Sequence, residues 1–368
     1  MSIAVTPTVR RRLAASALLL AVTTGVAFAG PGAAAPPDRP TYKFGCLLQG
    51  RAEWEQLFES SPATGTYVAQ NLYMRRVRLL LNGTVGPRLS FFLDTDSPNY
   101  GKASASGAKD FSDLYVQDAV ATWRTSERFG VDTGLLLTPG AFNHLQSAAS
   151  LLALDYGPYT FVSSSVAQER LGRDTGIQAR GQLARRHVEY RIGAYQGRRT
   201  ARADEPLRLA GRVAFSPLQT DGGMFYTGTS LGAAERLAFG LAADHQRELV
   251  SLHADVQAEH RLTSKLALTA QADLSDLDGR GALENLPDQT DWMVELGALI
   301  VPLRLTPFVQ VARQELHAEG ADETSVQSGA AWWLDGHRAA IKLGWTRILR
   351  DGAEARSRFA AQYQAFSF

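Results

Sequence analysis

The chain holds a single cysteine, Cys46, so it can form neither an internal disulfide nor a cysteine-based metal site, which excludes disulfide scaffolds and zinc ribbons. Lysine is scarce: Lys43, Lys102, Lys109, Lys265 and Lys342 are all of it. With 38 basic against 37 acidic residues among 368, the formal balance is +1, and no basic surplus points to nucleic acid or to an anionic lipid surface as partner. Neither a Walker-type phosphate loop nor a dinucleotide fingerprint is present. The seven histidines (His144, His187, His245, His253, His260, His317 and His337) have no spacing that nominates a triad or a metal site. His253 beside Asp255 could be read as a dyad, but a solvated pair on one strand face is the simpler reading. No enzyme, no metal and no cofactor is therefore expected.

What the chain does have is 45% hydrophobic and 20% charged residues, enough to bury a sizeable core. Its first 29 residues are written differently from the rest. Arg10, Arg11 and Arg12 precede an apolar run over residues 13–28 that closes on Ala27-Phe28-Ala29, the order of regions in a secretory signal peptide. A membrane anchor would need roughly 20 uninterrupted apolar residues, and Ser16, Thr23 and Thr24 break this run. Cys46 lies too far on to be a lipoprotein cleavage site. Removal of residues 1–29 takes the balance from +1 to −2, because three arginines and no acids leave with them. Residues 30–40, rich in Gly, Ala and Pro, read as a disordered lead-in, and residues 41–368 as the folded unit.

After the signal no stretch is apolar enough to cross a bilayer as a helix; two-residue alternation takes its place. Over residues 250–258, Val250, Leu252, Ala254, Val256 and Ala258 are apolar, while Ser251, His253, Asp255 and Gln257 between them are polar. Leu266, Leu268, Ala270, Ala272 and Leu274 repeat the pattern against Lys265, Thr269, Gln271 and Asp273. It recurs over residues 177–183, 188–195 and 207–215. A soluble sandwich turns its apolar face inward; a membrane barrel inverts the code, with apolar side chains toward lipid and polar ones toward a lumen. Strand length favours the barrel, since roughly ten residues match a tilted membrane strand. Aromatics near strand ends, Trp54, Tyr73, Trp123, Tyr195, Trp292, Trp345, Phe366 and Phe368, suit interfacial girdles.

Seventeen candidate strands can be marked, but single-chain bacterial barrels close with an even number. The conflict falls on the pair 224–231 and 237–245, and the expected architecture is an all-β transmembrane antiparallel barrel of about sixteen strands. Tight turns such as Gly86-Pro87, Ser126-Glu127 and Leu303-Arg304 alternate with long polar connections, as between the periplasmic and outer faces of such a barrel. The longest, residues 138–172, carries Phe142, His144 and the apolar stretch 151–159. It is expected to fold inward as a constriction loop rather than lie on the rim.

Several segments resemble the phosphate-selective porin O and P family. Tyr73-Met74-Arg75-Arg76-Val77-Arg78 with the residues through Gly83, then 114–123 and 134–139, are similar to its opening. Gly172-Arg173-Asp174-Thr175-Gly176-Ile177-Gln178, Tyr190-Arg191-Ile192-Gly193-Ala194-Tyr195-Gln196-Gly197 and Gly211-Arg212-Val213-Ala214-Phe215-Ser216-Pro217 look like its central signature. The resemblance implies a Gram-negative outer-membrane porin that passes small hydrophilic solutes, anions such as phosphate in particular. It also implies a homotrimer, and Phe368 resembles the terminal aromatic read by the barrel-assembly machinery. Two features depart from it. Lysines are few, and apolar residues near the C-terminus switch register after Tyr363, which a bulge near Ala365 would reconcile.

By alternation Arg76, Arg78, Arg180, Arg191 and Arg212 fall on polar faces, which makes them the candidate pore-lining, anion-binding set; the planar fork of arginine suits phosphate. The competing reading pairs them with acids such as Glu189, Asp255 and Glu259. Arg75 falls on the lipid side, so it belongs either at the rim or in a bulge. A general porin with weak or cation preference, in keeping with the balance of −2, and an exported soluble β-protein that binds a ligand are the rival functions.

Overall fold

The computed structural model describes residues 40–368 apart from 59–65, 105, 112–113, 165–166, 219, 280–285 and 318–319. The export segment and most of the lead-in lie outside the described residues. The first eight strands are β1 (Thr41–Phe58), β2 (Thr66–Val85), β3 (Leu89–Asp96), β4 (Tyr115–Ser126), β5 (Phe129–Leu137), β6 (Arg173–Leu183), β7 (Val188–Tyr195) and β8 (Arg208–Phe215). The second eight are β9 (Arg236–Gln246), β10 (Leu249–Thr263), β11 (Leu266–Asp278), β12 (Gln289–Ile300), β13 (Leu305–Leu316), β14 (Glu323–His337), β15 (Ala339–Arg350) and β16 (Arg356–Ser367). Each pairs antiparallel with its chain neighbours, and β1 pairs with β16, so the sheet closes into a sixteen-stranded barrel without an edge. Closure is what permits the strands to sit in lipid, where each unpaired backbone group would cost several kcal/mol.

The greasy faces look outward, which disposes of the soluble sandwich. Leu241 on β9 is 68% exposed and Leu72 on β2 83%, and Ile177, Leu209, Phe215 and Leu268 share that outer surface. Their polar neighbours face in: Asp244, Gln246, Ser251, Gln257 and Glu259 are buried. Placing arginine at Leu241, whose cross-strand partners Val213 and Ala254 set it in mid-strand, should cost about 2–4 kcal/mol in lipid unfolding measurements, whereas arginine at Leu89, beside a turn, should cost about 0–1. Equal costs would argue against a depth-dependent apolar exterior.

Connections at the end carrying the start of β1 and the end of β16 are short, with one exception. Residues 86–88, 127–128, 184–187, 264–265, 301–304 and 338 are tight, but 216–235 is long. That exception settles the conflict in the strand count: 236–246 is a strand, and 224–231 is not. The apolar residues of 224–231 bury against the barrel's inner wall instead of joining the sheet. Met224 packs on Val120, Leu136, Tyr195 and Ala210, and Leu231 on the cluster around Phe308 and Trp333. Gly228 runs so close to Ser150 that a Cβ there would lie 2.5 Å from its carbonyl oxygen.

Two further expectations are corrected. Tyr73 and Tyr195 are not girdle residues. Both are buried on the inside, donating to Glu53 at 3.0 Å and to Gln178 at 3.0 Å, because their positions share the phase of the lumenal polar residues. No bulge occurs near Ala365: the register of β16 with β1 and β15 is unbroken there. Phe366 and Phe368 therefore share the phase of the buried Gln362 and Gln364, Phe366 packing beside Leu47 and Ala149 and Phe368 meeting Phe92 at 5.9 Å. Of the two places left open for Arg75, the bulge is the one found: Arg75 is the extra residue of a bulge in β2, where Gln49 pairs with Arg76 and Gly50 with Met74. The bulge turns two consecutive arginines to one face.

Candidate functional site

Residues 138–172 reach inward-facing side chains of strands around much of the barrel. Gly140 O accepts from Arg212 (3.0 Å), Gln146 Nε2 donates to Gln271 (2.7 Å), and Lys342 Nζ donates to the carbonyls of Leu151 (2.5 Å) and Ala153 (3.0 Å). Leu152 and Leu154 seat in an apolar patch of the inner wall with Leu299, Phe308, Ala331, Trp333, Ala340 and Ala360. The patch explains why an apolar stretch in a surface connection turns inward: burial of each leucine is worth about 1.5–3 kcal/mol.

Between those leucines and Tyr156 stands one carboxylate, Asp155, and three guanidiniums converge on it. Arg51 approaches at 2.6 Å, Arg75 at 2.9 Å and Arg76 at 3.6 Å. Burial alone would push the Asp155 carboxyl up, but the three arginines outweigh it and hold it well below the usual carboxylate value of 3.8, so it stays ionised. One negative charge against three positive ones leaves a local excess of two. Arg51 also donates to Gln362 at 2.5 Å, Arg76 donates to Gln49 at 2.7 Å, and the Arg76 guanidinium lies 5.7 Å from the Tyr156 ring centre. Arg75 is the most exposed of the three, with a fifth of its side chain accessible.

The candidate arginines all face inward and are buried, but they are not equivalent. Only Arg76 belongs to the cluster with excess charge. Arg78 is held by two carboxylates, Asp94 at 3.0 Å and Asp96 at 2.9 Å. Arg180 meets Asp132 at 2.5 Å, Arg191 meets Glu189 at 2.7 Å, and Arg212 meets Asp255 at 2.5 Å. Arg180, Arg191 and Arg212 stand directly opposite one another on β6, β7 and β8, a row of like charges that would be destabilising without those acids. Of the acids weighed as partners, Glu189 and Asp255 take an arginine; Glu259 instead accepts backbone N–H groups of Ser230 (2.8 Å) and Gly232 (3.0 Å). His253 bonds Ser275 (2.8 Å), not Asp255.

Arg51, Arg75, Asp155 and Lys342 were not legible as a site in the sequence. Asp155 had one usable signal, a lone acid inside an apolar loop stretch. Arg75 gave one signal, an arginine out of phase with the alternation, which left a rim position and a bulge both open.

Known proteins place this arrangement. No curated protein matches the sequence. Solved structures of like fold include the anion-selective porin from Comamonas acidovorans, 12% identical over 89% of this chain and 100% of that one, TM-score 0.60. OmpT of Vibrio cholerae in its trimer form is 11% identical over 90% of this chain and 100% of that one, TM-score 0.54. Pseudomonas aeruginosa OpdK, solved with vanillate, is 10% identical over 89% and 98%, TM-score 0.51. At such identities the likeness carries the fold alone. The profile of the phosphate-selective porin O and P family matches residues 56–302, well over half of the chain, and it covers the Arg75–Arg76 bulge, Asp155 and the arginine row. The protein belongs to the phosphate-selective porin O and P family, outer-membrane channels built on a closed β-barrel.

Proposed function

We propose that this porin lets small hydrophilic anions, phosphate among them, diffuse across the outer membrane past the cluster at Asp155. The observation that carries the reading is the charge there: Arg51, Arg75 and Arg76 share one carboxylate. Charges lining a narrow, low-dielectric passage decide which ions enter it, and arginine forks suit phosphate oxygens. Residues 138–172 serve as the constriction, holding Asp155 and Tyr156 opposite the arginines. Arg76 is the leading anion-binding residue of the set, and Arg78, Arg180, Arg191 and Arg212 line the same lumen with their charge offset by acids. Nothing in this reading calls for catalysis or a cofactor; Asp255, which alternation sets beside His253, is taken by Arg212.

The same reading makes residues 1–29 a cleaved export signal, residues 30–40 a lead-in, and Phe368 the contact for the barrel-assembly machinery. The assembly would be a homotrimer, in keeping with the trimer form of the Vibrio cholerae OmpT structure. In planar bilayers with asymmetric KCl, the reversal potential should have the sign of anion preference, and added phosphate should depress the chloride current. A cation-sign potential would favour the alternative of a general porin, which the balance of −2 and the acid-paired arginines support.

A further inference from the structure

We infer that residues 220–232 form a second constriction, entering the lumen from the end opposite to residues 138–172, and that Arg180, Arg191 and Arg212 act chiefly to hold it there. The inference rests on the porin reading above. All three arginines donate to this segment: Arg180 to Gly222 O at 3.3 Å, Arg191 to Met224 O at 2.9 Å and Gly223 O at 2.8 Å, and Arg212 Nε to the Tyr226 hydroxyl at 3.1 Å. The row that alternation marked as an anion path thus donates to carbonyls and a hydroxyl of the chain itself.

Tyr226 is the keystone. Its backbone N–H donates to Leu145 O at 2.8 Å and its carbonyl accepts from Ser147 N at 2.8 Å, a parallel bridge that ties the two inward segments together. Its ring stacks on Phe142 at 5.3 Å, with the Arg191 and Arg212 guanidiniums 4.7 and 5.4 Å from its centre. Its hydroxyl donates to Glu189 at 3.0 Å. Burial foremost raises that hydroxyl to about 12, so it remains a phenol. Farther along, Gly228 N donates to Ser150 Oγ at 3.0 Å, Glu259 collects the N–H groups of Ser230 and Gly232, and His337 Nε2 bonds Thr229 O at 2.9 Å. Side chains from β7, β8, β10 and β14 thus grip the segment from several sides of the barrel.

Below it, toward the terminal end, lies a cavity of about 190 Å³ bounded by Arg124, Glu127, Arg186, Asp221 and Gly222. Removal of the segment would join this space to the lumen above. A tight turn would suffice to link β8 to β9, as it does at the other six connections of that end. The extra length is therefore spent on filling the barrel.

The test compares single-channel conductance of the full chain in KCl for wild type, a variant with residues 220–232 replaced by Asn-Gly, and Tyr226→Ala. Barrel formation is checked for each by the change in electrophoretic mobility on heating. The shortened variant should conduct about 1.5-fold above wild type, since the two constrictions resist the current in series, and Tyr226→Ala should move the same way by less. If the shortened chain does not fold, Tyr226→Ala combined with Glu259→Gln carries the test. Unchanged conductance in folded variants overturns the second constriction. A wild-type chain that folds but forms no channel overturns the porin reading instead.

Discussion

Replacing Leu152 and Leu154 together by aspartate should raise single-channel conductance several-fold while leaving the barrel folded. Both side chains are almost fully buried, at 1% and 2% exposure, against wall residues that include Phe308 and Trp333. Two wall glycines make the seat: a Cβ on Gly297 or Gly344 would run into the Leu152 or Leu154 methyl groups. The substitution loses about 3–6 kcal/mol of apolar burial and adds several kcal/mol for each carboxylate left in an apolar site. Holding the loop in place are the Lys342 bonds to Leu151 O and Ala153 O and the Arg51 bond to Leu154 O. Each is worth about 1.5–3 kcal/mol as a charged hydrogen bond. The loss exceeds what they retain, so residues 151–154 should leave the wall. A conductance equal to wild type, with heat-modifiable mobility intact, would mean that this loop does not limit the current. Gly344→Val is the steric counterpart and should move conductance in the same direction.

The second large effect is on selectivity. Converting Arg75 and Arg76 to alanine leaves Asp155 with Arg51 alone and takes the local balance from an excess of two positive charges to none. A unit charge about 4 Å from a permeating ion is worth about 1 kcal/mol in water and more where the walls exclude it. Salt screening over roughly 8–10 Å trims the more distant contributions. Loss of two such charges should lower the anion-to-cation permeability ratio by about tenfold, read as a shift of the reversal potential in asymmetric KCl. The matched double change Arg180→Ala and Arg191→Ala should shift it far less, because Asp132 and Glu189 already neutralise those side chains. Equal shifts from the two doubles would place the selective step elsewhere.

Much of this architecture is legible without coordinates because a barrel wall is a local object. Its alternation is written into every segment, so the outer face around Leu241 and the inner face around Gln257 follow from a two-residue period. The same rule places Arg76, Arg78, Arg180, Arg191 and Arg212 inside. It fails where phase shifts. Arg75 reads as lipid-facing until the bulge opposite Gln49 turns it inward, and a bulge has no signature beyond the residue it displaces. The C-terminal residues show the reverse error: Phe366 and Phe368 look as if they demand a register change, whereas the strand runs straight and packs them inside.

Residues 224–231 teach the sharper lesson. Met224, Tyr226 and Leu231 are apolar enough to suggest a strand, and length alone allows one; a seventeenth strand would have left the barrel with an odd count. What decides their fate is the wall they meet, whose apolar residues come from strands far apart in sequence.

The sequence by itself determined the wall: about sixteen two-faced ribbons, closed because lipid tolerates no free edge, with arginines on the wet side. Only the tertiary structure decided which of those arginines keep a charge to spare. Alternation says which way a side chain points, but not what points back at it. Asp155 reaches Arg51, Arg75 and Arg76 from a loop beyond β5, and Tyr226 reaches Arg191 and Arg212 from the opposite mouth. Charge neutralisation is a pairwise property set by distances of a few ångströms, and those distances exist only once the two inward segments are seated.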